Sequence, residues 1–568
     1  MPSVFVSFVP FVVKIRSDVT RLGTGPNPCS RKPMRRLPFL ALLTAALLAA
    51  SCTKRETPAE EAIRTHTLLV GNQNEPATLD PDLADAATDL IIANTLCEGL
   101  TVFDEATGAA RPGTAERWDI SPDGRTYTFH LRANARWSNG DRVTAHDFAY
   151  SFERQLAPAH ASPYAYMLWP VQHAEAFTGG TVKSFADVGV AVIDDLTLRL
   201  TLTHPTPYLL ELAATWLPVH RPSVEKYGTR DDRSSPWARP GRLVGNGAFV
   251  LAEWSPNARI VVTKNPYYWD AAHNHLERVI FFPTENADVE ERDFRAGQLH
   301  VTFSVPPSKI AVYRQQSPER LRIDPLLQVY MVNFNTTKPP LNNPKVRRAL
   351  ALALDRSAIA SAVYAGARLP APTLVPPGCV GYTGPAGQPD DFAAARALLA
   401  EAGFPGGRGL PTMALQVLND DKMPRLGEAI QAMWRRELGV QITIEPYEQK
   451  TWLQNQQTLS HTLAIRGWTA DYPDPITFLD IFRTGNGGNW SGWGSPAYDA
   501  LLDQAAETAD PAARFALLQK AEGLLLAEAP IAPIVFGART YLINPAVKNW
   551  TPAPLGLRRF QLIELQAP

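Results

Sequence analysis

The 568-residue chain contains only four cysteines, carries almost no net charge and has no long apolar run beyond its first 50 residues. Its 55 basic and 56 acidic residues give a formal charge of −1, which leaves no basic face for a nucleic-acid partner. Cys97 and Cys379 are the two cysteines that follow the leader region. They could form one bridge in an oxidising compartment, or they could be small apolar residues of the core. We expect two buried, unbridged thiols.

Motifs that would indicate catalysis are also missing. No pair of histidines has the spacing of metal ligands on a helix, and Ser491 is flanked by Asn489 and Trp493 where a nucleophile elbow needs glycine. The glycine-rich stretch at 485–488 lacks the strand-to-helix context of a phosphate-binding loop. We therefore expect no catalytic residue, no metal and no cofactor. An exported hydrolase of peptides or peptidoglycan remains an alternative from another functional class.

The start of the chain has the layout of an export signal. Met34 and two arginines precede an apolar segment at 37–50, and Cys52 follows small residues, as in a bacterial lipobox. We predict a signal peptide at 34–51, lipidation of Cys52 and a flexible tether at 52–64. Residues 1–33 fit no targeting pattern, so we expect them to be an untranslated or disordered extension. A plain secretory signal is the alternative.

Short alternating runs and helical runs follow one another from Thr65, which predicts a mixed α/β chain. Apolar residues alternate at 127–131 and at 198–202, as in strands with one buried face. Thr144 precedes apolar residues at every fourth position, which predicts a capped helix. The other predicted elements are a helix from Asn343 to Gly366, a helix over 425–438 and a strand over 440–444. The length predicts two or three domains.

One acidic residue, Asp471, lies among aromatic residues and prolines in the sequence Gly-Trp-Thr-Ala-Asp-Tyr-Pro-Asp-Pro at 467–475. This stretch has too much apolar surface for an exposed loop, and a buried carboxylate is costly unless a cation meets it. We interpret the missing cation as the α-amino group of a bound peptide. The alternative is that Asp471 caps a turn through the backbone, as Asp often does before proline-rich turns.

Several further motifs occur in a fixed order along the chain. They are Thr-Leu-Asp-Pro at 78–81, Ala-Glu-Arg-Trp at 115–118, the stretch 123–132, Trp-Ser-Asn-Gly at 137–140, 144–148, Asn-Gly-Ala-Phe at 246–249, Asn-Pro-Tyr-Tyr-Trp at 265–269, 335–341, 346–350 and 355–356. With these motifs the chain resembles the bacterial peptide-binding receptors of ABC importers, solute-binding protein family 5. The resemblance extends from about Thr65 to the carboxyl end.

The resemblance implies an α/β fold of the periplasmic-binding-protein type, in which two lobes close over a ligand and a third domain is added. It places the first lobe at 65–86, 206–327 and 555–568, and a second domain at 87–205. The other ligand-binding lobe would comprise 328–554.

The resemblance also implies a peptide site. Asp471 matches the residue that meets the peptide ammonium, and the segment 467–471 matches a strand that pairs with the peptide backbone. Trp468 would form the wall of a side-chain pocket or fill the core. The candidate peptide-binding residues are Asp471, Trp468, Gly467, Thr469, Tyr472, Tyr164, Lys338, Arg466, Arg558 and Asn246.

The residue that holds the peptide carboxylate is less clear from the sequence. The resemblance implies an arginine six positions before Asp471, but Ile465 occupies that place and Arg466 follows it. A shift of one residue on a strand moves a side chain to the opposite face, so Arg466 reaches the ligand only if a bulge realigns the strand. Lys338 and Arg558 match other basic positions, and each could equally be a solvated surface charge.

A disulfide of the family is also missing, because the two matching positions hold Gln328 and Thr469. We expect the fold to tolerate this double change.

These patterns together predict an exported, lipid-anchored receptor that captures short peptides and delivers them to an ABC permease and ATPase complex. We expect it in the periplasm or cell envelope, as a monomer, without nucleic acid. A cell-wall peptide or a non-peptide cargo is the alternative within the family.

Overall fold

The computed structural model describes residues 56–379, 381–420 and 422–566. Cys52 and the predicted signal peptide lie outside these residues. No helix within the described ranges is both long enough and apolar enough to cross a membrane. Cys97 and Cys379 are both buried and free, as expected from the sequence.

Eighteen strands occur in the described part of the chain. They are β1 (Thr67–Gly71), β2 (Thr101–Phe103), β3 (Ala110–Pro112), β4 (Ala115–Ile120), β5 (Thr126–Leu131), β6 (Val190–Asp194), β7 (Thr197–Thr201), β8 (Phe249–Ser255), β9 (Arg259–Lys264), β10 (Arg278–Phe282), β11 (Leu321–Phe334), β12 (Leu369–Pro370), β13 (Met413–Leu418), β14 (Ile442–Tyr447), β15 (Leu463–Thr469), β16 (Ile531–Leu542), β17 (Val547–Lys548) and β18 (Glu564–Leu565).

Sixteen α-helices accompany them within the same ranges. They are α1 (Pro58–Arg64), α2 (Ala87–Leu96), α3 (Ala145–Leu156), α4 (Ala174–Thr178), α5 (Leu209–Ala213), α6 (Arg221–Tyr227), α7 (Ala287–Arg295), α8 (Pro307–Gln316), α9 (Pro344–Leu352), α10 (Arg356–Tyr364), α11 (Phe392–Glu401), α12 (Met423–Leu438), α13 (Gln449–Gln457), α14 (Ile476–Leu479), α15 (Pro496–Ala506) and α16 (Pro511–Glu528).

The larger strands form three sheets, which we number in chain order. The first sheet has the order β1-β10-β9-β8, with β1 parallel to β10, and the second sheet is antiparallel in the order β4-β5-β7-β6. The third sheet has six strands in the order β12-β16-β11-β15-β13-β14. In this third sheet β13 runs parallel to both β14 and β15, and the other pairs are antiparallel. The fold is therefore of the mixed α/β class, as predicted.

Local sequence explains the elements that were predicted best. Along β5, Tyr127, Phe129 and Leu131 are at most 3% exposed while their neighbours are more accessible, so the alternation marks one buried face. At the start of α3, Thr144 and Asp147 form a capping box that satisfies free backbone N–H groups.

One helix prediction was wrong. The segment from Asn343 to Gly366 forms two helices, α9 and α10, because the chain leaves helical geometry after Leu352. Asp355 caps the second helix by accepting a hydrogen bond from the N–H of Ala358 at 2.8 Å. The predicted helix at 425–438 begins two residues earlier, at Met423, and the strand after it is β14, at 442–447.

The long strands β11 and β16 connect the first and third sheets. Leu321 and Ile323, at the start of β11, pack with Leu69 of β1, whereas Val332 and Phe334 near its end lie in the core of the third sheet. β16 pairs with β11 along most of its length, with a shift of register between Pro325 and Val329. β11 and β16 therefore run side by side from the first sheet to the third sheet.

The chain returns to the core of the first sheet from the last residues of β16 onward. Tyr541, Ile543, Ala546 and Val547 pack there, although the prediction places them in the lobe that extends to residue 554. The domain boundaries taken from the resemblance remain a proposal.

Candidate functional site

A cavity of about 500 Å³ lies where β11 and β16 cross between the sheets. Its lining includes Tyr164 from the segment after α3, Phe303 from the segment before α8, and Arg368, Thr469 and Asp471 from the third-sheet region. This volume lies within the usual range for a small-molecule site. The cavity is therefore large enough to hold a ligand of several residues.

Asp471 places an uncompensated carboxylate at this cavity. Its Oδ2 accepts a hydrogen bond of 2.8 Å from the hydroxyl of Tyr166, and its backbone N–H lies 3.4 Å from Oγ1 of Thr477. Burial raises the pKa of Asp471 to about 6, and the hydrogen bond from Tyr166 opposes this rise. No lysine, arginine or histidine among the described residues forms an ion pair with Asp471. Its nearest polar partner is thus a neutral hydroxyl.

The neighbouring Asp474 provides a contrast within the same turn. Both of its oxygens accept hydrogen bonds of 2.8 Å from the guanidinium of Arg514. Its charge is therefore balanced inside the protein, whereas that of Asp471 is left for another group.

The strand that leads to Asp471 has an unpaired edge. β15 pairs with β11 from Leu463 to Thr469, but on its other side it pairs with β13 only at Leu463 and Ala464. From Ile465 to Thr469 no described strand occupies that side. Such an edge can accept an extended peptide backbone through main-chain hydrogen bonds.

Two arginines line the cavity without a carboxylate partner among the described residues. The guanidinium carbon of Arg368 lies 4.3 Å from the ring centre of Tyr330 and 4.2 Å from that of Tyr364. Arg539 lies 4.5 Å from the ring centre of Phe303 and donates a hydrogen bond of 3.3 Å from Nε to the Phe303 carbonyl. Burial lowers the pKa of Arg539 to about 10. The cavity therefore carries charge of both signs.

The structure brings some of the predicted site residues to the cavity. Tyr164, Thr469 and Asp471 line it, and Gly467 and Trp468 lie on the strand that leads to it. The hydroxyl of Tyr164 donates to the Asp85 carbonyl at 3.4 Å, and burial raises its pKa to about 12. Tyr472 lies beside this group and stacks on Tyr208, with ring centres 5.0 Å apart.

Three other predicted residues lie away from the cavity lining. Asn246 is 3% exposed and exchanges hydrogen bonds with the backbone of Glu98, so it holds two segments together. Nζ of Lys338 donates to the Ser460 carbonyl at 2.5 Å. Arg558 forms an ion pair of 3.1 Å with Glu105. In this structure the polar groups of all three make contacts inside the protein, and their placement at the ligand stays a prediction.

Arg466 also points away from the cavity. The register between β11 and β15 is unbroken, so no bulge brings Arg466 to the face of its neighbour Ile465. Arg466 is 1% exposed, and its guanidinium stacks on Trp490 at 4.0 Å and donates to the Gly488 carbonyl at 3.0 Å. Burial lowers its pKa to about 9.

Gln328 and Thr469, which replace the disulfide of the family, are direct partners in the β11–β15 ladder. Nε2 of Gln328 donates a hydrogen bond of 2.7 Å to Oγ1 of Thr469. A polar contact thus joins the two strands at the position where the resemblance would place a covalent link.

Sequence reasoning missed Tyr166, Arg368 and Arg539. None of them lies in a quoted motif, and their relation to the cavity depends on residues distant in the chain. The one available signal was the position of Tyr166, two residues after the candidate Tyr164.

Comparisons with known proteins show the family to which this chain belongs. The family model described as bacterial extracellular solute-binding proteins, family 5 Middle, matches residues 109–490. The chain is 34% identical over 526 residues to the periplasmic oligopeptide-binding protein OppA of Salmonella typhimurium, covering 90% of this chain and 94% of that protein. It is also 34% identical over 519 residues to the probable deoxycholate-binding periplasmic protein YgiS of Escherichia coli, with 90% and 94% covered.

Among solved structures, the murein tripeptide-binding protein MppA of Escherichia coli is similar with a TM-score of 0.76 and 32% sequence identity. The match covers 88% of this chain and 98% of that protein. The family model matches more than half of the chain, and the relatives above are matched over nearly their whole length. This chain therefore belongs to family 5 of the bacterial extracellular solute-binding proteins.

Proposed function

We propose that this protein is a receptor of an ABC importer that captures short peptides through their free α-amino group. The observation that carries the proposal is the carboxylate of Asp471, which faces a cavity of about 500 Å³ without a cationic partner among the described residues. An ammonium group would balance this charge. The name of OppA, an oligopeptide-binding protein, supports the same cargo.

The free edge of β15 explains how one site could accept many sequences. Main-chain hydrogen bonds from Ile465 to Thr469 would hold the peptide backbone, which every peptide shares. The ammonium at Asp471 would then set the register of the peptide on the strand. Loss of one partner from such a desolvated charge pair costs about 3–5 kcal/mol.

Closure would follow from contacts on both sides of the cavity. Tyr166, which follows α3, bonds to Asp471 next to the third sheet, so a peptide at Asp471 touches both regions. We propose the two ligand-binding lobes and third domain given by the resemblance, with the ligand stabilising the closed form. Lipid anchoring through Cys52, a location in the periplasm or cell envelope, and delivery to a permease and ATPase complex belong to the same proposal.

A cargo without an amine is the second candidate, because the chain is as similar to YgiS as it is to OppA. A bile acid such as deoxycholate has a carboxylate and no ammonium. Its binding would leave the charge of Asp471 unbalanced, which disfavours it.

The test is a comparison of free and amino-acetylated peptides. We expect peptides of mixed sequence to co-purify with the mature protein, to be detected by native mass spectrometry and to be lost after denaturation and refolding. Asp471→Asn should weaken rebinding at least tenfold. Asp85→Asn is the matched control, because Asp85 is an exposed carboxylate at the same cavity.

Amino-acetylated peptides that bind the wild-type protein as tightly as free peptides would contradict the proposal. Deoxycholate binding in the absence of any peptide binding would favour the second candidate. Cleavage of the peptides during incubation would favour an enzyme.

A further inference from the structure

One part of the cavity is lined by apolar side chains that come from distant parts of the chain. They are Leu90, Ile91, Met167, Leu217, Leu555 and Leu557, and we call this set the apolar pocket. Three of them are at most 7% exposed, namely Ile91, Met167 and Leu217, and the other three are half-buried. Apolar surface that borders a cavity leaves water favourably when an apolar group covers it, so the pocket favours a ligand group of the same character.

Helix α2 supplies one wall of the apolar pocket. Its residues Ala87, Leu90, Ile91 and Asn94 line the cavity at positions i, i+3, i+4 and i+7, which form one face of a helix. None of these four side chains is charged. Oγ1 of Thr215 donates to Sδ of Met167 at 3.3 Å, and this contact joins the segment of Leu217 to that of Met167. The wall therefore continues from α2 as an apolar surface.

The apolar pocket lies beside Asp471. The carbonyl of Leu327 accepts a hydrogen bond of 2.8 Å from the N–H of Ala470, the residue before Asp471. The N–H of the same Leu327 donates at 2.8 Å to the carbonyl of Pro554. The pocket residues at 555 and 557 thus follow a segment that is joined to the Asp471 strand through one residue.

A second contact connects the pocket with Asp471 from the other side. Tyr166, whose hydroxyl bonds to Asp471, directly precedes Met167 in the chain. The N–H of Met167 donates at 3.0 Å to the carbonyl of Tyr164, which also lines the cavity. Apolar side chains therefore reach the carboxylate from both sides of the cavity.

We propose that the apolar pocket receives the side chain of the first peptide residue and selects large apolar side chains at that position. This inference rests on the proposed function and specifies its cargo. The ammonium and the first side chain are bonded to the same Cα atom, so a peptide held by Asp471 places that side chain next to the carboxylate. Burial of a side chain as large as leucine or phenylalanine strengthens binding about tenfold to hundredfold.

The same lining disfavours a charged side chain at the first position. A lysine or a glutamate would lose its hydration in the apolar pocket, and no group of the pocket replaces it. Asp85 lines the cavity and could attract a lysine, but its carboxylate is exposed, so the pair adds little to the affinity. Arg539 could attract a glutamate, but its guanidinium stacks on Phe303 and donates to the Phe303 carbonyl.

Charged groups line the cavity farther back along β15. Arg368 stacks on Tyr330, and Tyr330 pairs with Gly467, four residues before Asp471. Lys422 lines the cavity as well and is exposed. Later side chains of the peptide would therefore meet a more polar lining, and we expect the selection of apolar side chains to be confined to the first residue.

Calorimetric titration with five tripeptides tests the inference. Each tripeptide has leucine, phenylalanine, alanine, lysine or glutamate followed by two alanines, and the mature protein is refolded without ligand beforehand. Leucine and phenylalanine should bind at least about tenfold more tightly than alanine, and lysine and glutamate no more tightly than alanine. Leucine moved to the second or third position should gain less than about threefold over trialanine.

Variants of the pocket separate a direct contact from a general loss of stability. Leu90→Ala and Leu557→Ala truncate half-buried side chains, and each should reduce the ratio of leucine to alanine affinities about threefold to tenfold. Leu557→Asp should shift the preference toward lysine, which a loss of stability alone would not produce. Leu369→Ala is the matched control and should keep the wild-type ratio, because Leu369 is 59% exposed and lies outside the cavity lining.

Equal affinities of the wild-type protein for all five tripeptides would overturn the inference and leave the proposed function in place. A wild-type preference for lysine or glutamate at the first position would overturn it as well. So would an unchanged ratio of leucine to alanine affinities in both Leu90→Ala and Leu557→Ala. If none of the five tripeptides binds, the proposed function fails together with the inference.

Discussion

Asp471 and Asp474 are three positions apart, yet their charges are balanced in different ways. Asp474 forms a two-pronged ion pair with Arg514, while Asp471 accepts one hydrogen bond from the neutral hydroxyl of Tyr166. Burial without a cation raises the pKa of Asp471 from its ordinary value of 3.8 to about 6. In the ligand-free protein this carboxylate therefore destabilises the folded state at neutral pH, as functional groups often do.

The first prediction is that Asp471→Asn stabilises the ligand-free protein, and does so more at higher pH. The folded-state pKa of Asp471 is higher than its pKa in the unfolded chain, so ionisation favours unfolding. The gain should be absent below about pH 4 and should grow as the pH rises through 6. A shift of two units gives at most about 3 kcal/mol, and partial exposure reduces this to about 1–2 kcal/mol. Urea unfolding at several pH values measures it.

Asp474→Asn is the matched variant, with an effect of opposite sign. It leaves Arg514 buried without its carboxylate and should destabilise the protein by about 3–5 kcal/mol. If Asp471→Asn instead destabilised the protein at pH 8 by as much as Asp474→Asn does, Asp471 would have a partner inside the protein.

Sequence reasoning could reach Asp471 because the signal was local. An acidic residue between aromatics and prolines implies a buried charge without any knowledge of the fold. Arg368 could not be found in this way, because its partners Tyr330 and Tyr364 lie on β11 and α10 and meet it only in the folded protein. For the same reason Lys338 and Arg558 remained candidates, since the groups that use their charge, Ser460 and Glu105, are far away in the chain.

At the level of secondary structure, periodicity predicted the type of an element better than its ends. The apolar pattern that begins at Asn343 continues through both α9 and α10, so it gave one helix where the structure has two. The break depends on Asp355, whose capping hydrogen bond to Ala358 competes with helix continuation. The order of strands in the third sheet depends on contacts between distant segments, and only the family resemblance could suggest it.

The second prediction concerns the ladder between β11 and β15. Gln328 and Thr469 are paired residues on adjacent strands, and paired Cα atoms are about 4.5–5.5 Å apart, which suits a disulfide. Gln328→Cys combined with Thr469→Cys should therefore form a bridge on oxidation. The bridge should stabilise the protein by about 2–4 kcal/mol, because it closes a long loop in the unfolded chain.

Thiol titration and thermal unfolding with and without reductant measure this effect. In a protein that begins after Cys52, the double variant should show two free thiols when it is oxidised and denatured, because Cys97 and Cys379 remain free. Four free thiols under these conditions would show that the two strands are not paired as described. Each single variant serves as a control for the loss of the hydrogen bond between Gln328 and Thr469.

Several contacts of the folded chain link regions that are distant in sequence. Tyr166 bonds to Asp471, Tyr208 stacks on Tyr472 and Arg125 forms an ion pair with Glu507. The ion pair is exposed, so its contribution to stability is small. In the proposed closure of the lobes, a ligand that contacts both sides would favour the closed form.

The third prediction is that peptide binding compacts the protein and that compaction requires Asp471. A tripeptide acid at saturating concentration should lower the radius of gyration measured by small-angle X-ray scattering and raise the melting temperature. At a free concentration of about 100 times Kd, binding alone contributes about 2.7 kcal/mol. Asp471→Asn at the same peptide concentration should show a smaller shift of the melting temperature and less compaction.

The two measurements distinguish closure from simple binding. A rise in melting temperature without a change in radius would mean that the peptide binds a cavity that is already closed, and the proposed lobe movement would fail. Compaction of Asp471→Asn by the same peptide, equal to that of the wild-type protein, would mean that closure depends on contacts other than the ammonium. We expect the compaction to weaken together with the affinity for the peptide. The reason is that a ligand shifts the equilibrium between the open and closed forms only by the difference in its affinity for them.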